Sequence, residues 1–350
     1  MTRSDYASKT EHGRASVCLD LCSERMCVSR AICLAIFPRA ACVFLGDWRF
    51  EMRDKVTFID LDEDGFQARV KMKPGADDCM VFLFHGALNR SKRLTPHYPS
   101  FVPALPGTWQ VSVPDPTMET FPDLPAGWYL GSSEMPLLDS FPQKLQQLAK
   151  RSGCTRRVYV GMSSGGFAAL LYSSLDPGST AVVGNPQTDL RNPVYRRPSR
   201  RYFEAAWPGG VGHLPLTLSD CFRNLEQNRI VLVQSSGDLL HLHTQALPFL
   251  ATLPPEMAAQ VAIHIDYFGK AGHAESLSSH AFQNWIRAAC KLKGAEAAVE
   301  IMQIWYTLKG RSLSDEKPRV LAESASEAIR RDIEIADAIA KFEISEGRRP

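Results

Sequence analysis

The sequence predicts an α/β domain with a mostly parallel sheet and helices on both of its faces. Two observations carry that expectation. Short apolar runs of strand length alternate with segments of helical spacing between residues 80 and 292, the order a parallel sheet requires. The runs themselves are continuous rather than alternating, as in Met80-Val-Phe-Leu-Phe84, which fits strands buried on both faces. Composition agrees. Across 350 residues, 45% are apolar and 22% charged. This is ordinary for a globular protein and wrong for a disordered chain, a collagen-like fibre or a polytopic membrane protein.

Residues 55–61 and 66–72 read as two strands around Asp62-Glu63-Asp64-Gly65. That acidic turn lacks the later ligands of a calcium loop, so it is read as a hairpin turn. Residues 80–84 form the next strand and end in His85-Gly86. Residues 110–113 are a shorter one, followed by Pro114-Asp115-Pro116. Residues 141–151 have helical spacing, with Leu145, Leu148 and Ala149 on one face. A strand over 157–160 runs into Gly161-Met-Ser-Ser-Gly-Gly166 and a helix over 167–174. Three more strands follow. Residues 180–184 precede Asn185-Pro186, 229–233 end in Ser235-Ser236-Gly237-Asp238, and 260–268 end in Gly269-Lys-Ala-Gly-His273. The last helix of the body spans about 279–292.

Three segments stand apart from this alternation. Residues 189–228 are rich in Pro, Arg and aromatics and read as an inserted cap. Residues 96–142 carry many prolines with Trp109, Phe121, Trp128 and Tyr129, and are expected to line one side of a pocket. Beyond Gly294 two helices are expected, over 295–308 and 320–343. The second sets Leu321, Ile329, Ala336 and Ile339 near one face. That face either packs on the body or makes a homo-oligomer. The expected organisation is an N-terminal extension over 1–50, an α/β body over 51–293 with the cap at about 189–228, and a helical extension over 294–350.

Residues 1–50 hold five of the nine cysteines, Cys18, Cys22, Cys27, Cys33 and Cys42. An odd count excludes complete internal pairing, no CxxC pair occurs, and no His stands at zinc-finger spacing. Unpaired thiols suit a reducing cytoplasm, the expected location. Arg30, Pro38 and Arg39 interrupt the apolar stretch of this segment, which is too short to span a bilayer. A poorly ordered extension is one reading. A signal peptide cleaved near Ala40-Ala41-Cys42 is another, and a start at Met52 a third. Forty basic residues against 38 acidic ones give a net charge of +2, which gives no global reason to bind nucleic acid.

The chemistry is carried by Gly161-Met162-Ser163-Ser164-Gly165. A serine centred between two glycines, after a buried strand and before a helix, is placed in a sharp turn whose neighbours need room for backbone. Its hydroxyl then projects at a helix N-terminus, where the dipole favours negative charge. Serine needs a base to become a nucleophile. His273, just past the last strand, is the leading candidate, with His241, His243 and His264 as rivals. An acid must orient that imidazole. Asp238 is preferred, Asp189 is the alternative and Asp266 a weak third. Ser164 is expected to donate its backbone N–H to the developing oxyanion, with a second donor at Ala87 or Gly86. His85 is expected to brace that loop by hydrogen bonding.

His85-Gly86, the Gly161–Gly165 run, Asp238 and Gly272-His273 together resemble the α/β-hydrolase superfamily over roughly residues 55–293. The resemblance implies a mostly parallel, eight-stranded-type sheet and Ser163-Asp238-His273 acyl transfer without metal or organic cofactor. Gly184-Asn-Pro-Gln-Thr-Asp189, with Phe84-His-Gly86 and the His273 loop, also resembles hydrolase-like proteins of surface-polysaccharide biosynthesis. The expected partner is a small-molecule or saccharide ester, with neither nucleic acid nor stable membrane insertion. Arg196 and Arg197 in the cap are candidates for contacting an acidic substrate, and Trp128 for lining its site. Cleavage of a carboxylic ester is the first reading. An acyltransferase on the same triad, or a non-catalytic protein of the same fold, are the alternatives.

Overall fold

The computed structural model describes residues 50–53, 56–61, 68–101, 105–193, 196–223, 227–266, 272–273, 277 and 279–291. All of them lie in one compact unit, Asp47–Pro350. The expectations for residues 1–49, for the acidic turn over 62–65 and for the helices past Gly294 fall outside the described residues.

The body is a nine-stranded sheet in the order β1-β2-β3-β5-β4-β6-β7-β8-β9. Its strands are β1 (Phe50–Arg53), β2 (Val56–Asp60), β3 (Arg69–Lys73), β4 (Cys79–Phe84), β5 (Trp109–Val113), β6 (Arg156–Met162), β7 (Thr180–Gly184), β8 (Arg229–Ser235) and β9 (Val261–Asp266). β1, β2 and β3 pair antiparallel, and β3 joins β5 antiparallel. From β5 through β9 every pairing is parallel. The mostly parallel architecture is therefore as expected. The strand count is not: β1 is one more than the implied eight. It covers the outer edge of β2, whose backbone groups would otherwise lack strand partners.

The two faces are built differently because side chains alternate along a strand. On one face Phe82 stacks on Tyr159 at 5.1 Å, and Phe84 packs against Tyr129 and Tyr172 at 4.9 and 5.1 Å. Two helices cover it: α1 (Phe141–Arg151), through Phe141, Leu145 and Leu148, and α2 (Ser164–Ser174), buried along its whole length. On the other face Val81, Leu83, Val158, Val160 and Val182 meet Phe282, Trp285 and Ile286 of α4 (Ser279–Ala289). A sheet sandwiched in this way explains why β4, β7 and β8 are buried at every position and why their sequences are continuous apolar runs.

Between β7 and β8 the chain makes a long excursion. It includes α3 (Arg196–Ala206) and a 3-10 turn, Leu218–Phe222. The Tyr202 hydroxyl donates to the Gly131 carbonyl at 2.7 Å, and the Trp207 indole donates to Tyr202 at 2.8 Å. These bonds tie the excursion to the irregular segment after β5. Among the described residues, no helix is long and apolar enough to cross a membrane.

Candidate active site

Because β4, β6, β8 and β9 run parallel, their carboxyl ends share one edge of the sheet. In open α/β sheets this edge is where ligands bind. β6 delivers Ser163 there. Its backbone has φ 55° and ψ −122°, a conformation that non-glycine residues rarely adopt. Three backbone bonds hold it: the Ser163 N–H to the Gly184 carbonyl, and the N–H groups of Gln187 and Phe167 to the Ser163 carbonyl, each at 3.1 Å. The flanking glycines are steric requirements. A Cβ on Gly161 would stand 2.0 Å from the Gly165 carbonyl oxygen, and one on Gly165 would stand 2.6 Å from that of Phe84. The turn feeds directly into α2, so that helix begins at Ser164, three residues earlier than its sequence pattern indicates.

β8 ends in a turn that places Asp238, and the loop after β9 places His273. The His273 Nδ1 lies 2.5 Å from Asp238 Oδ2, and its Nε2 lies 2.7 Å from the Ser163 Oγ. With Asp238 as carboxylate, Nδ1–H donates to the acid and Nε2 accepts the serine hydroxyl proton. The Gly272 N–H donates to the Gly237 carbonyl at 2.7 Å, which ties the His273 loop to the Asp238 turn. Burial pushes the Asp238 carboxyl up. Hydrogen bonds from His241 and His273 outweigh burial and hold it well below the usual carboxylate range.

Of the alternatives weighed from sequence, Asp189, His264 and Asp266 are engaged elsewhere. Asp189 accepts from Thr217 and pairs with Arg191. His264 accepts the Trp285 indole N–H at 2.7 Å, as a packed strand residue would, and Asp266 stands 3.9 Å from it. Trp128 is 2% exposed and donates its indole N–H to Gln187 at 2.6 Å. It is thus packed into the base of the excursion rather than held open. Arg196 and Arg197 open α3, and their side chains lie outside the described residues.

The loop after β4 comes close to the serine. A Cβ on Gly86 would lie 3.1 Å from the Met162 carbonyl and 3.7 Å from the Ser163 Cβ. Ala87 follows and is exposed. Ser164 is buried and is the first residue of α2, so its N–H has no intrahelical acceptor. Beneath them His85 braces the loop by hydrogen bonding, in a ring whose other members the sequence did not reveal. His85 Nδ1 donates to the Gly86 carbonyl at 2.8 Å, and its Nε2 accepts the Asp115 N–H at 3.3 Å. The Tyr129 hydroxyl accepts the His85 N–H at 3.0 Å and donates to the Val113 carbonyl at 2.8 Å. The Asp115 carboxylate accepts the Tyr129 N–H at 3.1 Å. Burial pushes His85 down to about 4 and Asp115 up to about 6. Neutral His85 is the form that both donates and accepts in this ring.

One further side chain enters the site. His241 Nδ1 lies 3.1 Å from Asp238 Oδ1, and its ring stacks on His273 at 3.6 Å and 8°. Asp238, His241 and His273 are the described group of potential metal ligands whose donor atoms cluster within 4.8 Å. The two rings are parallel, and each Nδ1 is directed at a different carboxylate oxygen. That arrangement suits two N–H donors on one acid better than lone pairs converging on a cation.

The arrangement of strands, elbow and loop can be compared with known proteins. No family model matches the chain, and no curated protein matches it. Solved structures do. The capsule O-acetyltransferase of Neisseria meningitidis serogroup A superposes with a TM-score of 0.51 at 14% identity, over 67% of this chain and 95% of that one. The chain has the α/β-hydrolase fold. Other α/β-hydrolase-fold structures are also similar at a coarser level. Prolyl oligopeptidase B from Galerina marginata has a TM-score of 0.43 at 13% identity, over 74% of this chain and 37% of that one. A cold-adapted esterase from an Arctic intertidal metagenomic library has 0.39 at 14%, over 70% and 100%.

Proposed function

We propose that this α/β-hydrolase-fold chain is a serine hydrolase that cleaves a carboxylic ester. The observation that carries the proposal is the continuous hydrogen-bond chain from the Ser163 Oγ through His273 to Asp238, at 2.7 and 2.5 Å, with the serine on a strained turn at a helix N-terminus. His273 Nε2 takes the hydroxyl proton as Ser163 Oγ attacks the acyl carbon. The imidazolium is stabilised by Asp238. It then returns its proton to the leaving alcohol oxygen as the C–O bond breaks. Water, deprotonated by the same Nε2, releases the acid and restores Ser163.

The oxyanion is assigned to the backbone N–H groups of Ser164 and Ala87, with Gly86 giving the close approach. A trans peptide points its carbonyl and N–H in opposite directions. By fixing the Gly86 carbonyl, His85 therefore also fixes the direction of the Ala87 N–H. One such donor contributes about 3 kcal/mol of transition-state stabilisation.

An O-acyl ester of an acidic carbohydrate is the proposed substrate class. Its support is the charge of residues 189–204, where Arg191, Arg196, Arg197, Arg200 and Arg201 face two acids, a local balance of +3. Transfer of the acyl group to a sugar hydroxyl is the second reading. It is suggested by the likeness to a capsule O-acetyltransferase along 95% of that chain. The test is p-nitrophenyl ester turnover by wild type and by Ser163→Ala, then product analysis on an O-acetylated acidic polysaccharide with and without an acceptor sugar. Turnover that requires Ser163 supports the proposal. A Ser163→Ala protein as active as wild type overturns it. Acylated acceptor in place of free acid selects the transferase.

A further inference from the structure

We propose that His241 is a positioning residue of this site. It is a second histidine that shares the Asp238 carboxylate and sets both the orientation and the proton affinity of the Ser163–His273 pair. The inference rests on the serine-hydrolase reading and adds a residue that the fold does not require.

The geometry starts with Asp238, which is 2% exposed. A carboxylate so far from water needs donors on both oxygens. His273 supplies one, on Oδ2. On Oδ1 it accepts from the His241 backbone N–H at 3.3 Å and from its Nδ1 at 3.1 Å. Asp238 caps the short helix Leu239–His241, which carries the His241 side chain back over the acid three residues later. The next turn, Leu242–Ala246, is π-helical, a form often found at functional sites. Gln245 in it accepts the N–H groups of Thr188 and Asp189 at 2.6 and 2.8 Å. His241 is thus held from both sides, and it is itself 3% exposed.

Two chemical consequences follow. Donors on Oδ1 stop the carboxylate from rotating, which keeps Oδ2 on the His273 Nδ1 and the His273 Nε2 on the serine. The His241 ring also lies face to face with the ring that becomes cationic when Ser163 attacks. Its own protonation is disfavoured, first by burial and then by His273, against the pull of Asp238. Asp238 and His273 are the titratable groups that act on it most directly, one through a hydrogen bond and one through ring stacking. Two imidazoles 3.6 Å apart on one carboxylate cannot both carry a second proton without strong repulsion. His241 therefore stays neutral while His273 works.

The test measures the rate of Ser163 labelling by a fluorophosphonate as a function of pH in wild type, His241→Phe and His241→Asn. Phe keeps a stacked ring but removes the donor. Asn keeps a donor at the Nδ1 position but removes the ring. Losing the donor leaves more negative charge for His273 to face. His241→Phe should label roughly tenfold or more slowly, with the acidic limb of its profile displaced to higher pH. His241→Asn should keep the limb of wild type. A role in packing alone would lower stability but leave the limb in place. Circular dichroism checks that each variant is folded. Histidine nitrogen resonances of the wild type give a readout independent of labelling, and should show the two rings sharing one titrating proton. Wild-type rate and limb in His241→Phe, or two independent histidine titrations in the wild type, would overturn the inference. An inert wild type with shared titration would instead overturn the hydrolase reading, and the catalytic role of His241 with it.

Discussion

The two halves of the site are held by different forces. The Ser163 half, at the ends of β4 and β6, is fixed by backbone. Ser163 sits at φ 55° between glycines that no larger residue can replace without overlap, and its main chain is bonded three ways. The His273 half, at the ends of β8 and β9, is fixed by side chains. Asp238 gathers His241 and His273, and one backbone bond from Gly272 closes the loop. The difference teaches where substitutions should act. Damage to the first half should cost folding, whereas damage to the second should cost chemistry in a folded protein.

The largest expected effect is on chemistry. Asp238→Asn should lower ester turnover by about 10⁴-fold, because the amide favours the wrong tautomer of His273. Its melting temperature should change little, since Asn can still cap Leu239–His241. Turnover assays and thermal melts on one preparation check both halves of that statement. Next is Gly161→Ala. With a Cβ 2.0 Å from the Gly165 carbonyl oxygen, it should lose about 4 kcal/mol of stability in urea unfolding or yield no folded protein. A folded, merely slow Gly161→Ala would break the comparison.

The brace beneath the Gly86–Ala87 loop lies between these extremes, and pH exposes it. His85 is pushed down to about 4 in the fold, against about 6.5 in the unfolded chain. Between those values the unfolded state binds more protons. The stability from His85 is therefore complete above pH 6.5 and is lost as pH falls toward 4, by about 3 kcal/mol. Asp115, pushed up to about 6, acts in the opposite sense, so stability falls as pH rises from about 4 to 6. The two slopes nearly cancel in the wild type. His85→Asn should uncover the Asp115 slope in urea unfolding measured from pH 4 to 7. A variant profile parallel to wild type would remove His85 from the account. The smallest effect is expected for Tyr129→Phe. It strands the His85 N–H and the Val113 carbonyl, costs about 2 kcal/mol, and slows turnover by loosening the Gly86–Ala87 peptide.

What was legible in the sequence follows the same division. Backbone constraints leave residue-type signatures. Only glycine fits at 161 and 165, and strands covered on both faces must be apolar throughout. The elbow, β4, β7 and β8 could therefore be located from spacing. Ser163, Asp238 and His273 stood out as candidates because each follows a strand. Side-chain networks leave weaker traces. His85 was read as a brace, but its partners Asp115 and Tyr129 are 30 and 44 residues away, and no local pattern links them. Trp128 was read as lining a substrate site, yet its indole is turned into Gln187. His241 had one available signal, its i+3 spacing from Asp238 at the start of a helix. By itself that spacing does not separate a surface histidine from one folded back onto the acid. β1, four residues at the edge of the sheet, is too short to leave a pattern in the sequence.

The most direct test is labelling of the purified full chain with a fluorophosphonate, followed by peptide mass mapping, for wild type, Ser163→Ala and His273→Ala. An activated Ser163 predicts one adduct, on the peptide carrying Ser163, absent from both variants. A folded wild type that takes up no label, or labels equally in His273→Ala, would contradict it.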